Sequence, residues 1–229
     1  MDAISNFAAR YVRLREEEMS IDEYLALCQR DPMAYGSAAQ RMLTAIGEPE
    51  MVDTRSDPHL SRLFANKVIR RYPAFAEFYG MEDAIDQVVS FFRHAAQGLE
   101  ERKQILYLLG PVGGGKSSIA ERLKYLMQKV PFYALKGSPV NESPLGLFDV
   151  AEDGPVLEEQ FGIPRRYLQH VLSPWAVKRL EEYGGDIRQF RVVKRYPSIL
   201  RQVAVAKTEP GDENNQDISS LVGKVDIRK

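Results

Sequence analysis

Three features of this 229-residue sequence predict an α/β fold. A short apolar run, "QILYLL", is followed at once by a glycine-rich turn, "GPVGGGKSS", from Gly110 to Ser118. The turn then opens an amphipathic helix, "KSSIAERLKYLMQKV". Apolar run, glycine turn and helix in that order are the strand–loop–helix unit of a P-loop NTPase, which is built on a parallel sheet. The predicted class is α/β with such a parallel-sheet core, incomplete within these residues and preceded by a small helical unit.

The helical unit occupies residues 1–59. Ile4, Phe7, Tyr11 and Leu14 recur at helical spacing and leave the charges on another face. Ser20 followed by Glu23 is a capping-box pattern before "YLALCQ", since each side chain reaches the other's backbone N–H. Asp31-Pro32 reads as a cap with proline in the first turn, and Gly47 as a helix stop. "GEPEMVDTRSDPH" reads as a connector from its Gly, Pro and Asp content.

Residues 60–229 read as the nucleotide-binding domain. "LSRLFANKVIRRYPAFAEFYG" is rich in aromatics and wraps onto it. In "MEDAIDQVVSFFRHAAQGLEE" the residues Ile85, Val88, Val89 and Phe92 form a helical stripe, with acids near its start. "QILYLL" is the expected buried parallel strand, and Ile119, Leu123 and Leu126 are the inward face of the next helix. "PFYAL" and "QFRVVKRY" read as strands; "VLEEQFG", "RRYLQHVL", "SPWAVKRLEEYGG" and "PSILRQVAVAK" read as helical. Trp175 follows a Ser-Pro helix start and is expected to anchor a core.

Composition narrows the function. Lys and Arg total 31 against 32 Asp and Glu, a net charge of −1, so nothing in the overall charge calls for nucleic acid. No run approaches the roughly 20 apolar residues that span a bilayer. Cys28 is the single cysteine, so no internal disulfide forms, and a small buried hydrophobe is its expected role. A cytoplasmic home without membrane attachment is the expectation. His59, His94 and His170 lie far apart with no ligand spacing for zinc.

The turn fits G-x-x-x-x-G-K-[ST], with Gly110, Gly115, Lys116 and Ser117 in the fixed places and Pro111, Val112, Gly113, Gly114 and Ser118 completing it. Glycines permit conformations that a Cβ forbids. Successive amides then form an anion nest at the positive end of a helix. Lys116 would bring an ammonium to the β- and γ-phosphates, and Ser117 a hydroxyl to Mg2+. The expected ligands are ATP and Mg2+.

Phosphoryl chemistry on this fold also needs a carboxylate ending a second central strand. After Val130 no apolar run ends in paired acids; "PFYAL" ends in Lys136 and "FRVV" in Lys194. Asp212, Glu213 and Asp217 fall in a loop-like polar segment. The expectation is a core cut from a longer protein, with no catalytic residue assigned within it. The elements of eukaryotic-type protein kinases, from the strand lysine to H-R-D and D-F-G, do not occur. Arg165-Arg166 and Lys194-Arg195 read as solvated faces, with phosphate sensing or subunit contact as the alternative.

Taken together, "YGMEDAIDQVVSFFRHAAQGLEERKQILYLLGPVGGGKSS", "FGIPRRYLQ", "SPWAVKRL" and "KTEPGDENNQDISSLVGKVDIRK" resemble the bacterial PrkA-type serine protein kinases over the whole chain. The resemblance implies an AAA+ P-loop module that binds ATP, within a parent that phosphorylates protein serine and forms a homo-oligomer. It also implies that Tyr79, Gly80 and Met81 lie near the adenine, with an aromatic helix cap as the alternative. The loop after "FYALKG" is shorter than that family leads one to expect. Two other functional readings stay open: an AAA+ ATPase or ATP-dependent protease-like machine, and a catalytically inactive ATP-binding fragment.

Overall fold

The computed structural model describes Asp2 and residues 16–206, except 112, 169 and 170. The helix expected over Ile4–Leu14, the acids Asp212, Glu213 and Asp217, and the residues Val112 and His170 lie outside the described residues. No helix among those described is long and apolar enough to cross a membrane.

Strand β1 (Glu17–Ser20) runs directly into helix α1 (Ile21–Arg30). The junction is the expected capping box: Glu23 N donates to Ser20 Oγ at 3.1 Å, and Ser20 N donates to the Glu23 carboxylate at 2.7 Å. Asp31 then accepts from Met33 N at 2.9 Å and starts a single 3-10 turn, Pro32–Tyr35, not a full helix. Helix α2 (Ala38–Ile46) has a second capping box, Ser37 with Gln40, and stops at Gly47, whose φ of 79° is left-handed.

The stretch expected as a connector supplies a strand. β2 (Glu50–Asp53) pairs antiparallel with β3 (Val68–Arg71), with helix α3 (Pro58–Phe64) between them. Its composition is that of a loop, but Glu50 faces Arg71 across the ladder and the two side chains meet at 3.0 Å. Polar bonds fasten this hairpin to helix α4 (Glu82–Gln97): Lys67 to Asp83 at 2.6 Å and Arg70 to Asp86 at 3.1 Å.

The remaining elements are helix α5 (Lys116–Met127), strand β4 (Phe132–Leu135), helices α6 (Gly154–Phe161) and α7 (Pro174–Glu182), and strand β5 (Arg191–Arg195). β5 lies between β1 and β4, antiparallel to both, with Glu17 opposite Lys194 and Phe132 opposite Arg195. Both strands expected after α5 therefore form, and they pair with each other and with the chain's early residues.

Two cores result. The sheet-bearing core gathers Tyr24, Cys28, Leu135, Leu145, Leu157, Ile163, Phe190 and Val192, and half-buried Trp175 packs on it edge-to-face with Phe190 at 6.3 Å. The helical core gathers Met42, Ile46, Tyr72, Phe75, Ile85, Val88, Val89, Ile119, Leu123 and Leu126 from α2, α4, α5 and the 72–75 turn. Each fully buried Leu or Ile contributes about 1.5–3 kcal/mol. Burial pushes the Cys28 thiol up to about 12, which makes it an inert packing group.

Two expected elements differ. The run 104–109 forms no helix and joins no sheet among the described residues. Its side chains nevertheless alternate: Leu106 and Leu108 pack against the helical core, while Ile105, Tyr107 and Leu109 are 89%, 76% and 81% exposed. A ladder needs a neighbour at about 4.8 Å, and none of the described strands pairs with this run. Within the stretch 197–207, expected as a helix, residues 198–203 make a tight turn closed by a Ser198–Val203 bridge. Gln202 and Ala204 take left-handed φ values of 51° and 56° there, which no α-helix of L-residues accommodates.

Candidate functional site

The glycine turn joins the run 104–109 to α5. Gly113 and Gly115 have φ values of 81° and 75°, left-handed positions where a Cβ is strained. Gly114 N donates to the Pro111 carbonyl at 3.2 Å, and a Cβ on Gly114 would sit 3.0 Å from that oxygen. Gly115 is the N-cap of α5 and carries no capping side chain. The first-turn amides of a 12-residue helix are thus left for an incoming acceptor, at its positive end.

Lys116 completes the cradle. Its ammonium donates to the carbonyls of Gly110 and Pro111, each at 2.6 Å. Those two bonds fold the side chain back across the turn and park the charge at its mouth, with the third N–H direction free of both carbonyls. Ser117 and Ser118 follow in the first turn of α5, exposed beside the cradle. The donors gathered at the turn are N–H, ammonium and hydroxyl groups. That chemistry suits an anion.

Of the residues expected near an adenine, Met81 is drawn into packing against the helical core. Met81, the N-cap of α4, lies with its sulfur 3.0 Å from the point where a Gly115 Cβ would be. Gly80, at φ 74°, is overlaid by Leu63 of α3, 3.3 Å from its own Cβ position. Tyr79 stands 88% exposed.

Sequence reasoning missed the cleft next to the turn. It is lined by Ser117, Ser118, Arg122 and Tyr125 on α5 and by Glu77 and Phe78 opposite. The signal was present, since positions 118, 122 and 125 share one helical face. Arg122 Nε donates to the Ala74 carbonyl at 2.6 Å, and its guanidinium lies 5.4 Å from the centroid of the Tyr125 ring.

The other sequence candidates lie elsewhere. His94 Nδ1 is 3.1 Å from the Glu101 carboxylate, and no group of three metal-ligating side chains occurs among the described residues. Arg165 pairs with Glu158 at 3.2 Å, Lys194 with Glu17 at 3.3 Å and Arg195 with Glu16 at 2.8 Å. Arg166 lies over the Tyr167 ring at 5.0 Å. These cations serve pairs within the chain.

Comparison with known proteins agrees with this geometry. The family model described as the PrkA AAA domain matches residues 19–229. A serine/threonine kinase of Escherichia coli strain K12, YeaG, is 64% identical over all of this chain, which covers 36% of that protein's length. A Bacillus subtilis protein named ATP-dependent protease PrkA is 32% identical over 94% of this chain and 34% of its own length. The chain thus spans about a third of the curated relatives it matches. No solved structure gives a significant match. With the phosphate-cradle turn, the helix it opens and a family match reaching from residue 19 to residue 229 in agreement, the chain belongs to the PrkA AAA domain family.

Proposed function

We propose that this chain is the ATP-binding AAA+ module of a PrkA-like serine protein kinase, whose intact form transfers phosphate from ATP to protein serine. The observation that carries the reading is the seating of Lys116 across the glycine turn, on the carbonyls of Gly110 and Pro111. An ammonium fixed there meets the β- and γ-phosphates of a bound triphosphate without reorganising, and the amides of Gly113–Ser118 surround the same oxygens. Magnesium held by Ser117 would supply charge neutralisation on those phosphates. The reading assigns holding and orientation to these residues and no general base.

It also takes the run 104–109 as the strand of a parallel core, because its alternation of packed and exposed residues is that of a sheet member. In the intact protein we place the module in a homo-oligomer acting on a protein substrate in the cytoplasm, without nucleic acid or membrane. The full-chain likeness to proteins named serine/threonine kinase supports phosphotransfer.

A second reading, an ATP-dependent protease-like machine, is favoured by the name of the Bacillus subtilis relative. Incubating the intact protein with γ-labelled ATP and casein separates the two. Label on serine, abolished by Lys116→Ala, is the expected outcome; peptide release without label overturns it in favour of the second. For this chain, Lys116→Ala weakens ATP by about tenfold or more, the loss of a charge-assisted bond, with helical circular dichroism unchanged. Unaltered affinity in titration calorimetry refutes the phosphate-holding role.

A further inference from the structure

Met81 bears on the phosphate turn from the start of α4. Its carbonyl accepts from Ile85 N at 2.9 Å, and its side chain reaches over to Gly115. We propose that the Met81 sulfur is a site of reversible oxidation, and that its sulfoxide lowers the affinity of the turn for nucleotide. The inference rests on the nucleotide reading above and adds a means of regulating that site.

A thioether fits this position because it is slender, flexible and apolar. A carbon added to Gly115 would stand 3.0 Å from the sulfur and 3.1 Å from its methyl group. The side chain therefore lies on the glycine with no spare room between them. It packs at the same time against the helical core. Oxidation sets one oxygen on that sulfur and makes it polar and chiral. Facing Gly115, the oxygen crowds the turn. Facing the core, it lies among apolar side chains, where a polar atom is costly. Swung into solvent, the side chain abandons Gly115 and leaves the turn without its support. Each outcome disturbs a residue at φ 75° that opens α5 and precedes Lys116.

Position and access single out Met81. It is partly open to solvent, whereas Met42 is 4% exposed. Met19 packs on the sheet-bearing core, Met51 stands on the hairpin at 63% exposure, and Met127 ends α5. Cys28 is 1% exposed and its thiol stays protonated, so it offers peroxide no competing thiolate. In the reaction a sulfur lone pair attacks one oxygen of hydrogen peroxide. The S–O bond forms as the O–O bond breaks, sulfur gives up two electrons, and the second oxygen leaves as water. Methionine sulfoxide reductases, one for each epimer, restore the thioether, with a dithiol supplying the two electrons and water carrying off the oxygen.

The test titrates ATP with magnesium into this chain before and after treatment with hydrogen peroxide, following Met81 conversion by peptide mass spectrometry. Far-UV circular dichroism verifies that each sample is folded. Oxidised chain is expected to bind ATP about fivefold or more weakly, as overpacking does, and reductase treatment restores the affinity. Met81→Leu, a change that conserves volume, shows the same affinity on both sides of the treatment. Met51→Leu keeps the full loss. Met81→Gln, which holds a polar acceptor there permanently, weakens ATP before any treatment. Unchanged affinity with Met81 converted, an equal loss in Met81→Leu, or a Met81 that stays reduced while Met51 is converted overturns the proposal and leaves the nucleotide reading intact. Untreated chain that binds no ATP overturns both.

Discussion

In the sheet-bearing core, β5 is paired on both sides, and Leu135, Leu145, Ile163 and Val192 are almost wholly enclosed. In the helical core, α2, α4 and α5 enclose Val89 and Leu126 just as tightly, but its flank is the unpaired run 104–109 with three large side chains in solvent. The phosphate turn hangs from that open flank. The contrast separates two jobs. One region closes on itself by pairing Glu17 with Lys194 from opposite ends of the described chain, while the other keeps an unpaired segment and a helix end uncovered, and it is there that backbone amides remain available.

The largest expected effect tests whether the closed core bears the stability. Leu145→Ala removes a fully buried side chain and costs about 3 kcal/mol in urea denaturation. Ile105→Ala, on the open flank, changes the same measurement by about 0.5 kcal/mol or less. Equal losses would erase the distinction between the regions.

The next effect concerns a polar lock inside the sheet-bearing core. Buried Glu142 accepts from Ser173 N and from Ser173 Oγ, each at 2.7 Å, and Ser173 Oγ also accepts from Ala176 N at 3.2 Å to cap α7. Glu142→Ala strands those donors and costs about 2 kcal/mol. A neutral result would mean that the cap of α7 stands without its carboxylate.

At the open flank, Gly115→Ala meets a left-handed φ and the Met81 sulfur together. It costs about 1–2 kcal/mol and weakens ATP. Adding Met81→Ala relieves the contact but not the φ, so the double variant recovers only part of the loss. Complete recovery would show that the conformation of Gly115 is unimportant.

The smallest effect is on pH. Burial raises Cys28 to about 12 in the folded chain, against about 9 when unfolded. The folded state then holds a proton that the unfolded state has released, so stability falls as pH rises from about 9 towards 12. At pH 9.5 the loss is about 1 kcal/mol at most. Cys28→Ala flattens this alkaline slope in denaturation curves taken at pH 8 and 9.5. Tyr133, raised to about 12 chiefly by burial, leaves a residual slope at higher pH.

What was legible in the sequence was local. Ser20 with Glu23, the stop at Gly47, the stripe Ile85–Val88–Val89 and the inward face Ile119–Leu123–Leu126 each depend on residues within two turns of one another, and each occurs as read. The left-handed glycines of the turn follow from the same short-range logic. Pairing was not legible. That β5 would lie between β1 and β4 depends on Val192 meeting Met19 on one side and Leu135 on the other, from distant parts of the chain. The strand β2 escaped notice because its acids and its flanking Gly and Pro resemble a loop until Arg71 is set opposite Glu50. Arg122 and Tyr125 looked like the solvent side of a helix; residues 74–78, folded across them, make that side a wall.

The contact between Met81 and Gly115 has a mechanical consequence. Helix α4 is a rod of 16 residues, roughly 24 Å long, and its leading end bears on the last glycine before Lys116. Hairpin β2–β3 is strapped to that rod through Asp83 and Asp86, within about one and a half turns of the bearing point. Hairpin, helix and glycine turn are therefore joined through the first two turns of α4, outside the sheet-bearing half of the molecule.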